Sequence, residues 1–174
     1  MTPADDAAAL FADGTRVDAT ADVPFALAGD HVWHVTAGHI DVFAVRLNEG
    51  LPTGARSHVL RVAAGQAIFG LGDQPLGARW GWIAVGSTGA RAQRISRATL
   101  TAAGPTQVAA LVEPWVQALY AGLLRDVARP STAIEVVPGQ QIEIASGASS
   151  RSRPPLAWVQ HLDGYSMLFG RPGL

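Results

Sequence analysis

The chain has 174 residues, 48% of them hydrophobic and 16% charged, with a formal net charge of -1. That length holds one full domain, or one domain and part of another, and the near-neutral balance gives no electrostatic reason to expect a nucleic acid or an anionic membrane as partner. With no cysteine, disulfides, thiolate catalysis and Cys-type zinc or iron–sulfur sites are excluded.

Asp5, Asp6 and Asp13 precede the first basic residue, Arg16, unlike the basic start of a signal peptide. Asp5 or Asp6 is placed to cap a short helix through Phe11, ended by Gly14. Strands are expected from Ala21 onward, punctuated by Pro24 and by Ala28-Gly29-Asp30. The organising stretch is 32–70. Val32 to Val35 is apolar and β-prone until Gly38 breaks it. Ile40 to Leu47 carries Ile40, Val42 and Ala44 on one face and Phe43, Val45 and Leu47 on the other, so it must be covered on both sides or lie in a roll. Trp33 and Phe43 are expected in that core. Asn48-Glu49-Gly50 supplies hairpin chemistry, His58 to Val62 returns, Ala64-Gly65-Gln66 turns, and Ala67 to Gly70 closes the unit. Short strands with glycine-bearing turns favour a sandwich or barrel over a βαβ fold.

Leu71 to Ala78 is a Gly/Pro-rich connection, followed by a strand from Arg79 to Val85, a turn from Gly86 to Gly89 and a strand from Ala90 to Ile95. Ser96 can cap the segment from Arg97 to Ala103, and Pro105 opens the main helix, expected to run to about residue 127 with Val108, Leu111, Val112, Trp115, Leu119 and Leu123 as its apolar stripe. Pro114 should kink or split it. The run from Val108 to Leu124 is the best membrane candidate, but Glu113, Pro114 and Gln117 interrupt it and a spanning helix needs about 20 mostly apolar residues. The chain therefore reads as soluble. Arg129-Pro130-Ser131 marks a boundary between a roll-plus-helix domain (1–129) and a partial second unit (130–174). The tail repeats the head: Val136 to Ile142 echoes Val62 to Ile68, both VxxGQxI, and Trp158, Gly164 and Phe169 echo Trp33, Gly38 and Phe43. Such self-similarity suggests a second roll whose open edges need a partner.

The run VWHVTAGHIDVFAVRL with the later AGQAIFGL, ISRATL, EPWVQAL, VVPGQQIEI and LAWVQHLDGYSMLFG resembles the N-terminal region of ABC exporters from nitrile-hydratase-leader-type bacteriocin systems, over residues 22–171. The resemblance implies a mainly β fold: a cyclic-nucleotide-binding-like β-roll of jelly-roll, cupin-like type with a C-terminal covering helix, then the start of a second such roll. It also implies a non-enzymatic accessory, docking or regulatory domain, cytoplasmic and peripheral to the inner membrane. Its expected partners are the transmembrane and ATPase portion of an exporter, the exported peptide or its leader, and a second copy in a homodimer. No cofactor and no metal are expected.

Candidate sites are few. Gly72 and Gly77 have the glycine spacing of a Walker loop, but Ala78-Arg79 stand where Lys and Ser/Thr are needed. His31, His34, His39 and Asp41 cluster in sequence without the His-x-His of a cupin metal site, and no nucleophile has a readable base. The resembled fold places a phosphate-binding cassette after Phe-Gly. Here Gly70 is in place, Leu71 stands where a ribose-binding Glu belongs, Arg79 is positioned for a phosphate, and Trp80 replaces a small hydroxyl residue and is bulky enough to fill the phosphate's space. Losing a charge-assisted contact of this kind costs about 1.5–3 kcal/mol. The cassette Gly70, Leu71, Arg79 and Trp80 is thus degenerate. The alternative is a small-ligand or cyclic-nucleotide sensor working through Arg79 and the Gly70–Gly77 loop.

Overall fold

A computed structural model describes residues 8–71, 79–125, 133–152, 157–160, 162–163, 167–168 and 171–172. The chain divides into two units, residues 1–128 and 129–174. Asp5 and Asp6, read as helix caps, lie outside the described residues, as do Gly164 and Phe169 of the tail's echo.

The first unit is mainly β. Its strands are β1 (Thr15–Ala19), β2 (Phe25–Ala26), β3 (His31–Ala37), β4 (His39–Asn48), β5 (Leu51–Ala63), β6 (Ala67–Phe69), β7 (Trp80–Gly86) and β8 (Ala90–Ser96), followed by helices α1 (Arg97–Thr101) and α2 (Pro105–Leu123). They form two four-stranded sheets, ordered β1-β8-β3-β6 and β2-β7-β4-β5, antiparallel throughout. This is the roll with a covering helix that the strand pattern predicts.

The alternation of β4 now has a direction. Ile40 and Val42 face Val62 and Leu60 of β5 and Gly86 and Ala84 of β7, and with Trp33, Val35 and Ile68 of the other sheet they make the roll's interior. Val32 and His34 point the other way on β3, where Phe11, Leu100 of α1 and Leu111 of α2 cover them. Helix α2 therefore serves two cores, with Trp115 in the roll and Leu111 under the outer layer. Both sheets are amphipathic in the sense that period-2 strands require, and one of them is sandwiched.

Several local expectations change. Strand β1, missed because Thr15 to Ala19 is short and half polar, completes one sheet edge. Strand β5 starts at Leu51 rather than His58; Pro52, Gly54 and exposed polar residues hide its first half, which pairs with β4 through two register shifts. In the hairpin Asn48 pairs with Leu51, so Glu49 (φ 52°) and Gly50 (φ 80°) take the positive-φ positions, and the costly one falls on Glu49 rather than Asn48. Phe43 is half-buried on the outside of its sheet, edge-on to His58 at 5.4 Å and 78°; only Trp33 of the expected pair is core. Pro114 does not split the helix, which runs on through it to Leu123. Leu111 and Trp115, buried on either side of it, anchor the helix against the roughly 3 kcal/mol that an interior proline costs.

The second unit holds β9 (Ile134–Val136) and β10 (Ser150–Ser152), paired in parallel, and β11 (Met167–Leu168) and β12 (Arg171–Pro172), paired antiparallel. The repeated VxxGQxI encodes the same turn in both units. Gln66 N–H donates to the Ala63 carbonyl (3.1 Å) and Gln140 N–H to the Val137 carbonyl (3.3 Å), with Gly65 at φ 87° and Gly139 at φ 80°. A glycine in the third, positive-φ position is the type II pattern. Beyond the turn the two copies differ: Ala67–Phe69 is a buried strand, whereas residues 140–145 are not in a strand and Trp158 is 69% exposed.

Where α2 crosses β5, a Cβ on Gly122 would land on the Val59 carbonyl. Gly122→Ala removes a helical glycine, worth about 1 kcal/mol of gain in a free helix, yet it should destabilise the protein by about 1–3 kcal/mol through overpacking. Urea unfolding measures the sign; a variant as stable as the parent would mean that α2 can lift off β5.

Candidate functional site

The connection between β6 and β7 is pinned at both ends. At its start Gly70 N–H donates to the His31 carbonyl (2.8 Å), and there is no room for a Cβ, which would lie 2.6 Å from the Gly29 carbonyl oxygen. The Gly70 carbonyl accepts from Arg97 Nη2 at 2.7 Å, while Arg97 Nε pairs with Asp30 at 3.1 Å and its N–H donates to the Asp30 carbonyl. Leu71 N–H donates to the Leu27 carbonyl (2.9 Å), and Leu27 N–H donates to the Trp82 carbonyl (3.0 Å). The backbone of Leu27 thus lies between the two ends of the connection and bonds to both.

The side chains separate the four cassette positions. Leu71 is half-buried and packs against the core that holds Trp33 and Trp115. Its apolar side chain offers no acceptor to a ribose hydroxyl. At the far end Arg79 is exposed, and its carbonyl accepts from Leu47 N–H (2.9 Å). Trp80 does not fill the interior: it is 48% exposed, with Arg46 Cζ 5.5 Å from its ring centroid. Arg46, Asn48, Thr53, Arg79 and Trp80 line an open concavity of about 460 Å³. No carboxylate among the described residues pairs with Arg46 or Arg79. Two guanidinium groups at the rim of a polar hollow form a receptor for a carboxylate or phosphate, to which arginine's planar fork is suited.

Arg46 was not singled out from the sequence. Its signal is phase: it continues the inner-face series Ile40, Val42, Ala44 and is the first charged member of it, opposite Trp80 in the β4–β7 register. Arg97 and Asp30, which hold the start of the connection, carry no sequence signal because they are far apart in the chain.

The histidine cluster disperses. His34 lies on one sheet, His39 and Asp41 on the other, and among the described residues no group of three metal-ligating side chains forms. Asp41 is instead held by Arg61 through two bonds of 2.9 Å and by His58 at 3.0 Å. The Arg61 guanidinium keeps its carboxyl below the usual carboxylate range, against the opposing effect of partial burial.

No described protein family and no curated protein matches the sequence. Similar solved structures exist. A cyclic nucleotide-binding-like protein from Brucella abortus is 22% identical, over 55% of this chain and 80% of that one, with a TM-score of 0.37. A structure described under a cyclic-GMP-dependent signalling pathway that regulates bacterial phytopathogenesis is 21% identical, over 67% and 91%, with a TM-score of 0.42. Oxidized CprK in complex with o-chlorophenolacetic acid is 13% identical, over 71% and 48%, with a TM-score of 0.43; this chain spans about half of CprK's length. These are likenesses in the course of the chain at low identity.

The Asp41 carboxylate yields a pH signature. Its lowered pKa means that its contribution is complete above about pH 4, the ordinary carboxylate value, and is lost as pH falls through the lower folded-state value. Asp41→Asn should cost about 1 kcal/mol or less at pH 7, as for a surface ion pair, and flatten the stability profile below pH 4. Urea midpoints between pH 7 and pH 2 test this; a variant with the parent's full acid sensitivity would remove Asp41 as its source.

Proposed function

We propose that the first unit is a non-catalytic regulatory binding domain that takes a small anion at the mouth of its roll, through Arg79 and Arg46, and does not read cyclic nucleotides. The observation that carries this reading is the division of the cassette. Leu71 is half-buried against the core, while Arg79, paired with no carboxylate among the described residues, lies beside Arg46 on a hollow of about 460 Å³. At Gly70 the chain after β6 is tied to α1 through Arg97. The exporter-like sequence pattern supports a setting for such a domain: beside the membrane and ATPase parts of a peptide exporter, as a docking or regulatory element.

Calorimetric titration separates these readings. Pyrophosphate should bind, more weakly at higher salt, and Arg79→Ala or Arg46→Ala should each weaken it about tenfold, the equivalent of one charge-assisted contact. Cyclic AMP and cyclic GMP should show no micromolar binding, because the ribose acceptor is absent. A Leu71→Glu, Trp80→Ser double variant asks whether the roll can still hold one. Micromolar cyclic-nucleotide binding by the unmodified protein would overturn the anion reading in favour of a cyclic-nucleotide sensor.

A further inference from the structure

The outer face of the β1-β8-β3-β6 sheet keeps one ionisable side chain under cover. His34 is 7% exposed and its Nδ1 has no hydrogen-bond partner; burial disfavours charge on the ring, partly offset by the nearby Gly65 backbone. Phe11, fully buried, stacks on the imidazole at 5.1 Å between centroids and 26° between planes. Phe11 belongs to a short turn-bonded segment, residues 8–14, closed by Gly14 N–H donating to the Phe11 carbonyl (2.8 Å). Among the described residues, the segment meets the sheet through buried Phe11, half-buried Leu10 and Gly14, which lies close against Arg94 and Ile95 of β8, while Ala9, Ala12 and Asp13 are exposed.

The surroundings of His34 decide its protonation state. On its own sheet face Gln93 is opposite it on β8, Ala67 on β6, and Arg16 lies beyond Gln93 on β1. The covering segment brings Asp13, which is exposed. Helix α1 brings Arg97, paired with Asp30. Helix α2 brings Glu113, two positions from buried Leu111 and so on a different side of the helix, with an interaction of its own. None of these meets Nδ1. Protonation would turn Nδ1 into an N–H donor with nothing to accept it, in a place where burial already disfavours charge. A cation against the Phe11 ring recovers a little of this, but the full remedy is water, and the buried Phe11 ring stacked on the imidazole is part of the cover that excludes it.

We propose that residues 8–14 form a proton-released clasp, in which protonation of His34 lifts Phe11 from the outer face of the sheet. The direction follows from linkage. The closed state holds a neutral imidazole, and its pKa lies below the ordinary value. Closure is therefore fully stable above about pH 6.5, and opening gains about tenfold per pH unit below that, until the closed state itself takes up the proton. The clasp is independent of the anion site, which it does not touch among the described contacts.

Amide hydrogen exchange on the full chain between pH 8 and pH 5, corrected for the intrinsic pH dependence of exchange, tests this. Protection over residues 8–14 should fall by up to tenfold per unit below pH 6.5, while peptides from β4 and β7 stay protected. His34→Phe keeps the ring stack and removes the proton site, and should give a flat profile. Protection that does not change with pH, that falls equally in His34→Phe, or that falls only in step with β4 and β7 would overturn the clasp. If His34→Phe does not fold, Phe11→Ala decides. It should leave 8–14 unprotected at every pH over an intact roll, and retained protection there would overturn the proposal.

Discussion

Gly38 is where the chain leaves one sheet for the other, and the roll depends on how little space is available there. It sits at φ 68°, and a Cβ would lie 2.8 Å from Ser87 Oγ and 3.0 Å from the Ala90 Cα. Three connections converge on the same point. Ala64 N–H donates to the Gly38 carbonyl, Ser87 N–H donates to the His39 carbonyl, and Ser87 Oγ accepts from His39 N–H. Because β3 and β4 are joined through so tight a corner, they cannot pair as a hairpin and must enter opposite sheets. Their apolar alternation is thereby turned inward from both sides. A side chain at position 38 would have to push these backbones apart, with the interior of Ile40, Val42, Trp33 and Val35 immediately behind them.

The filled interior has a functional consequence. A β-roll that binds a ligand inside must keep polar groups and room there, at a cost in burial. This one has Trp33 and Trp115 buried there, with Phe69, Leu71 and Trp82 half-buried against them, gaining apolar burial at about 25 cal/mol per Å². What remains polar has moved outward to Arg46, Arg79, Asn48 and Thr53. The chain after β6 is attached through Gly70, Leu71 and Leu27.

The turn shared by the two units shows what a short repeat can encode. A VxxGQ pattern specifies a positive-φ glycine and an i to i+3 bond in both places, since those requirements are local. Burial is not local. The first copy is bonded to β3, with Val35 N–H donating to the Gln66 carbonyl and Gly65 N–H to the Val35 carbonyl, and the second leads into exposed chain.

The sequence alone determined the mainly β class, most strand positions from β3 to β8, and both helix starts. Each follows from period-2 alternation, glycine and proline punctuation, or a serine or proline at a helix start. Only the tertiary structure decided which face of β4 is inside, that Phe43 is peripheral, that α2 continues through Pro114, and that Trp80 turns outward to meet Arg46 while Leu71 turns inward. These depend on what lies across the sheet or under the helix, and contacts between residues distant in the chain leave no mark on local spacing. His34 is the clearest case. In sequence it is one of several histidines near Asp41, and only the fold brings Phe11, from a segment more than twenty residues earlier, onto a buried imidazole whose Nδ1 has no partner.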